Sequence, residues 1–201
     1  AKDGGTFSAE GSVRAQGDGV LRIQSRHNFW VGDNDTSLPG FHKGGSDHTP
    51  SLPKNAHDFF QPENRPGKYY FLERYNQKVF RMNLDQPAGD NRFSYDGVSF
   101  DFSGNASSDA LALALTADAS TLFVGTQSAN IYQFSTSTGS IADMTLDGSL
   151  STSFGKVAGL GVSNDGQYVF AGGGNGRVKR YEVPSGGTIA DATEDQNERV
   201  Y

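Results

Sequence analysis

LGVSNDGQYVFAGGGNGRVKRYEVPSG, running from Leu160 to Gly186, is the second occurrence of a pattern already present from Leu113 to Gly139 as LALTADASTLFVGTQSANIYQFSTSTG. The two stretches align without a gap, 47 residues apart. Asp118/Asp165, Phe123/Phe170, Gly125/Gly172 and Gly139/Gly186 are identical pairs, while Leu115/Val162, Leu122/Val169, Ile131/Val178 and Phe134/Tyr181 keep their character. One inserted residue later, Ile141-Ala142-Asp143 matches Ile189-Ala190-Asp191. Self-similarity at such a period marks a repeat architecture. Inside each copy the apolar runs are four or five residues long, which suits strands and is too short for helices. Asn164-Asp165-Gly166 and Asn175-Gly176 supply residues that accept the positive φ of tight β-turns. Each copy therefore reads as strand, turn, strand, turn, strand.

The last strand of each copy exposes a wider pattern. Val20-Leu21-Arg22-Ile23, Val79-Phe80-Arg81-Met82, Ile131-Tyr132-Gln133-Phe134 and Val178-Lys179-Arg180-Tyr181 share one template: β-branched aliphatic, variable, Arg or Gln, large apolar. A turn-like stretch precedes each one, and successive copies lie 59, 52 and 47 residues apart. On a strand, positions one and three point to one side, and two and four to the other. Apolar residues on both sides are expected where a sheet is sandwiched between neighbouring sheets, as in stacked propeller blades. The expected fold is all-β, a β-propeller of about four antiparallel blades. A partial piece of a larger propeller is the alternative, and a plain antiparallel meander or sandwich would also accommodate degenerate hairpins.

The run from Ser163 to Tyr181 resembles a blade of the WD-repeat and YVTN types, and Asn130 to Phe134 followed by Thr138-Gly139 is similar to a quinoprotein-type repeat. The likeness is close over 113–191 and loose over the Val79 and Val20 copies. Tyr181-Glu182 stands where a WD-repeat has Trp-Asp, and no Gly-His precedes the strands. What the resemblance implies is a fold. It narrows function little, because propellers host scaffolds, lectins, lactonases and dehydrogenases alike. Four blades of this length would occupy nearly all of residues 1–201 as a single domain, similar in size to hemopexin-like domains.

Composition agrees with that fold. Glycine is abundant, at 26 of 201 residues, which favours short strands joined by tight turns. The net charge of −6 lacks the basic footprint of nucleic-acid binding. No apolar run reaches the length of a membrane span. The absence of cysteine removes disulfides, thiolate zinc sites and cysteine nucleophiles. The opening Ala1-Lys2-Asp3 is what processing of a secretory leader would leave, so an extracytoplasmic or secreted setting is the expectation. The sequons at Asn34 and Asn105 are no more than chance would place here.

The least regular stretch, 28–68, separates the first two template copies. It holds Pro39, Pro50, Pro53, Pro62 and Pro66, the single tryptophan Trp30, and His42, His48 and His57. Long loops of this kind carry function or lack order. A ligand site would draw on Trp30, His42, Asp47, His48, His57 and Asp58, since imidazole and carboxylate suit several divalent metals. No zinc-ligand spacing and no His-Glu-x-x-His is present, so a divalent metal is not favoured and no cofactor is expected. The plainer reading is a solvated, proline-braced loop. Trp30, Phe29, Phe41, Phe59 and Phe60 would either stack on a ligand or, as is commoner, pin the loop to the domain. Gly172-Gly173-Gly174 lacks the Lys-Ser/Thr pair of a phosphate loop, and no Gly-x-Ser-x-Gly elbow occurs. With no catalytic residue to name, the expected role is a non-catalytic binding or structural module, working by protein association or self-association. A propeller enzyme or lectin, with the His-rich loop folded near a central channel, is the alternative.

Overall fold

A computed structural model of the chain describes residues 13–15, 21–23, 56–60, 62, 64–65, 68–85, 92–106, 108–153, 155–173, 176–194 and 199–200. β1 (Val13–Ala15) and β2 (Leu21–Ile23) form an antiparallel pair. β3 (Ala56–Phe60), β4 (Lys68–Glu73), β5 (Lys78–Asp85) and β6 (Arg92–Asp101) make the first four-stranded meander. β7 (Ala110–Leu115), β8 (Thr121–Thr126), β9 (Asn130–Ser135) and β10 (Thr145–Ser151) make the second. β11 (Val157–Val162), β12 (Tyr168–Gly173), β13 (Arg177–Glu182) and β14 (Thr193–Glu194) make the third, where β15 (Arg199–Val200) also pairs with β13. We refer to these meanders as blades one, two and three. Every pairing is antiparallel between chain neighbours apart from β13 with β15, and β7 packs against the first strands of both flanking blades, β3 and β11. This is a β-propeller arrangement.

The repeat survives as geometry. β11, β12 and β13 begin and end 47 residues after β7, β8 and β9. Ile141–Asp143 and Ile189–Asp191 are equivalent 3-10 turns, capped by the hydroxyls of Ser140 and Thr188. Three template copies lie on β5, β9 and β13, and Leu21–Ile23 of the remaining copy forms β2, Val20 lying outside the described residues. Sequence reading saw three strands per copy; the fourth, β10 in blade two, has mostly exposed and polar residues and so lacks an apolar signature.

The stretch read as an irregular insertion is strand at its end. Ala56–Phe60 pairs with β4 through Phe59↔Phe71 and Phe60↔Tyr70, with a bulge between Ala56 and Asp58. Its residues do not alternate in polarity, and the prolines on either side disguise it. Phe60 packs against the first core cluster and ties β3 to it; Phe29, Trp30, Phe41 and the Phe59 side chain lie outside the described residues.

Two apolar layers lie between the blades. The first joins Tyr70, Leu72, Val79, Phe100 and Phe102 of blade one and its exit to Leu113, Leu115, Leu122, Val124, Tyr132 and Phe134 of blade two. Phe134 sits edge-on to Phe100, with centroids 5.0 Å apart. The second joins Phe123 and Ile131, on the opposite face of blade two, to Val157, Val169, Ala171, Tyr181 and Ile189. Blade two is thus apolar on both faces, and each large side chain buried there contributes about 1.5–3 kcal/mol.

Candidate functional site

The turn joining the first two strands of a blade is built the same way in blades two and three. Asp118 Oδ1 accepts from the Thr116 hydroxyl at 2.8 Å and from Ser120 N–H at 3.0 Å. Asp165 Oδ1 accepts from the Ser163 hydroxyl at 2.6 Å and from Gln167 N–H at 3.0 Å. These are Asx turns, in which a short carboxylate replaces a missing backbone partner. Burial alone would raise the Asp118 carboxyl, but the donors from Ser120 and Thr116 outweigh it and hold it low. The Ser163 hydroxyl, then Gln167 N–H, lower Asp165. Asp101 is lowered chiefly by the Ser103 hydroxyl, with a further contribution from Lys78. A carboxylate depressed in the folded state favours folding above its unfolded pKa of about 3.9, and that contribution is lost as pH falls through the folded value. The urea midpoint is therefore expected to fall below about pH 4, and Asp118→Asn should show a smaller acid loss. An identical loss in that variant would remove Asp118 from the account.

The same turns link one blade to the next. Asn64 N–H donates to the Ala117 carbonyl at 2.9 Å, and Ala117 N–H to the Asn164 carbonyl at 3.2 Å. Arg65 Nε adds a bond to the Asp118 carbonyl at 3.0 Å. Blade one also holds the entry to blade two through the Arg74–Asp109 ion pair at 2.9 Å. Between blades two and three a further link is Gln133, the third template position of β9. Its Oε1 accepts from Ile189 N–H at 2.7 Å, and its Nε2 donates to Asp147 at 3.3 Å. Gln133→Leu leaves a buried N–H unpaired, so a loss of about 1–3 kcal/mol is expected in equilibrium unfolding. A change below about 0.5 kcal/mol would show that water replaces the amide.

Of the residues the sequence marks as a site, Trp30, His42, Asp47 and His48 lie outside the described residues. His57 lies on β3, and its side chain is likewise outside the described set. Asp58 is buried, and its Oδ2 accepts from the backbone N–H of Leu113 at 3.0 Å. That bond joins β3 to the fully buried strand β7, so Asp58 helps to seat one blade on the next. Among the described residues, no group of three His, Asp or Glu side chains is placed to hold a metal ion, and no helix is long and apolar enough to cross a membrane.

The feature that stands apart is the outward face of blade three. In blade two the equivalent face is covered: Phe123 and Ile131 are 1 % and 0 % exposed. A Cβ added at Gly125 would lie 2.5 Å from Val157 Cγ1 and 3.2 Å from the Val157 carbonyl oxygen. In blade three the matching residues are open. Phe170 is 43 % and Val178 38 % exposed. A Cβ at Gly172 would meet nothing closer than the Gly159 carbonyl oxygen at 3.9 Å, and one at Gly159 nothing within 4 Å. Arg180 lies over the Tyr168 ring on the same face, 5.2 Å from its centroid. Sequence reading matched Phe123 with Phe170, but identical letters do not reveal which copy has a neighbour.

Comparison with solved structures agrees on the fold. A Bacteroides fragilis protein, provisionally described as a 6-phosphogluconolactonase, is similar over 98 % of this chain and 58 % of its own, at 11 % identity and a TM-score of 0.56. The periplasmic gluconolactonase of Pseudomonas aeruginosa is similar over 73 % of this chain and 42 % of its own, at 14 % identity and a TM-score of 0.51. The β-propeller domain of Cps50 (Swd1) from Myceliophteria thermophila is a weaker likeness, at 10 % identity and a TM-score of 0.47, covering 72 % of this chain and 45 % of its own. The chain thus spans about half the length of the structures it matches. No family model matches it, and no curated protein matches it significantly. What the chain shares with these structures is the β-propeller fold.

Proposed function

We propose that this chain, a single domain over 1–201, is a non-catalytic module for protein–protein association that acts through its propeller faces and the 28–68 segment. The carrying observation is the open apolar face of blade three, where Phe170 and Val178 stay exposed although their equivalents in blade two are buried. Contiguous exposed apolar surface of this kind marks interaction sites. The polar groups at the blade junctions, Asp58, Gln133 and the Arg74–Asp109 pair, are engaged in holding blades together. An extracytoplasmic setting belongs to the same reading, and one similar structure is described as periplasmic.

The competing reading is an enzyme or lectin with a ligand or metal site formed by Trp30, His42, Asp47, His48, His57 and Asp58. Two of the similar structures are described as lactonases, so a lactone is the substrate to try. Metal analysis of the purified chain and hydrolysis of glucono-δ-lactone separate the two readings. The association module predicts no metal at stoichiometry and no turnover above the uncatalysed rate. Turnover abolished by His42→Ala or His48→Ala would overturn it.

A further inference from the structure

We propose that Asn105, on the connector from blade one to blade two, is an acceptor for an N-linked oligosaccharide. The inference rests on the extracytoplasmic part of the association reading and adds a modification site to it.

Asn105-Ala106-Ser107 fits the Asn-x-Ser/Thr acceptor pattern, which calls for an asparagine on a surface turn. Chance supplies such a motif as readily as selection does, so the weight falls on the setting of Asn105. Phe102 and Ala106 are buried in the first apolar layer, while Ser103, Gly104 and Asn105 between them are exposed. The Phe102 carbonyl accepts from Asn105 N–H at 2.9 Å and from Ala106 N–H at 3.1 Å. Asp101 Oδ1 accepts from Ser103 N–H at 3.0 Å and from the Ser103 hydroxyl at 2.7 Å. The turn is thus anchored at both ends and stands in solvent between them.

Both the space and the amide are available. A Cβ added at Gly104 would meet nothing within 4 Å. Asn76 commits its side-chain amide to Glu73, and Asn130 commits its own to Ser128. The Asn105 side chain makes no hydrogen bond among the described residues, so a sugar attached there breaks none. Buried polar groups stay paired, and no apolar contact is opened.

The co-substrate is a lipid-pyrophosphate-linked oligosaccharide, presented by a membrane transferase. Asn105 Nδ2 attacks the anomeric carbon, and the new C–N bond replaces the bond from that carbon to the phosphate oxygen. The pyrophosphate leaves with the electron pair, and the amide gives up one proton to the transferase. The glycan then covers the end of the blades where Phe102 N–H meets the Gln77 carbonyl and the Ser108 hydroxyl meets Ser128. Association is left to the other surfaces.

Translation of the 201-residue chain behind a secretory leader, in the presence of glycosylation-competent microsomes, tests this. Peptide mapping is expected to find an oligosaccharide on Asn105, released by an amidase that leaves Asp in its place. Ser107→Ala should abolish the modification and Ser107→Thr should keep it. The glycosylated and amidase-treated chains should unfold within about 2 °C of each other, because the turn carries no packing at Asn105. An unmodified Asn105, whatever happens at Asn34, overturns the proposal. So does a glycan that lowers the thermal midpoint by more than that margin. The lactone and metal assays read the association module separately, so its failure and the failure of this site are told apart.

Discussion

Gly125→Val is expected to lose most or all of the folded state, whereas the same change at its repeat partner Gly172 leaves monomer stability unchanged. At Gly125 even a Cβ would lie 2.5 Å from Val157 Cγ1, 2.9 Å from Val157 Cβ and 3.2 Å from the Val157 carbonyl oxygen. Two of the three obstacles are on or next to backbone, so no rotamer change relieves them. Blade three has to move off blade two, which opens the layer containing Phe123, Ile131, Val169 and Tyr181. Overpacking a core usually costs about 1–3 kcal/mol. Here the lost burial adds to it, and about 3 kcal/mol or more is expected, a large part of a typical domain's stability. Gly172→Val should fall within about 0.5 kcal/mol, like other unobstructed surface changes. Urea unfolding of the two variants side by side reads the difference. Equal destabilisation would mean that the two blade faces are in fact equally covered.

Asp58→Leu is expected to cost about 3 kcal/mol, and Asp58→Asn distinctly less. The carboxylate is buried and accepts from Leu113 N–H, in the middle of a strand with no exposed residue. Removing the acceptor leaves that N–H in an apolar layer, at about 1–3 kcal/mol, and the loss of the charge-assisted bond adds to it. Asparagine retains an acceptor oxygen at the same place. Equilibrium unfolding measures both, and it also separates two roles for Asp58. If Asp58→Asn unfolds like wild type yet abolishes binding of a ligand or metal, Asp58 is a site residue. If both changes act only on stability, it is a blade fastener.

Much of this fold is legible in the chain because propeller blades are local. The strands that pair are almost always neighbours in sequence, so turns and strand-length apolar runs carry the topology. The 47-residue match anticipates three strands in each of blades two and three, although β7 and β11 begin three residues before the matched stretches do. Turn chemistry was legible only in part. Gly166 and Gly176 both adopt φ of +78°, as Asn-Asp-Gly and Asn-Gly announce, yet their counterparts Ala119 and Ala129 hold +61° and +64° without glycine. There the surrounding ladder imposes the conformation that glycine would otherwise supply. β3 and β10 escaped notice because neither carries an alternating pattern: one runs between prolines, and the other lies at a sheet edge with mostly exposed residues.

The candidate site divides in the same way. Residue type drew attention to Asp58, but its partner is a backbone amide 55 positions away, which no local spacing announces. Gln133 was read as one variant of a loose template, and only packing shows it reaching into the next blade's 3-10 turn. The sequence by itself determined that this protein is a series of antiparallel repeats, because hairpin turns and strand periodicity act over a few residues. It also determined that Phe123 and Phe170, like Gly125 and Gly172, are equivalent. Tertiary structure alone decided that one member of each pair is sealed by a following blade and the other is open. Exposure depends on what stacks against a sheet, and two identical residues in a repeat hold no record of their neighbours.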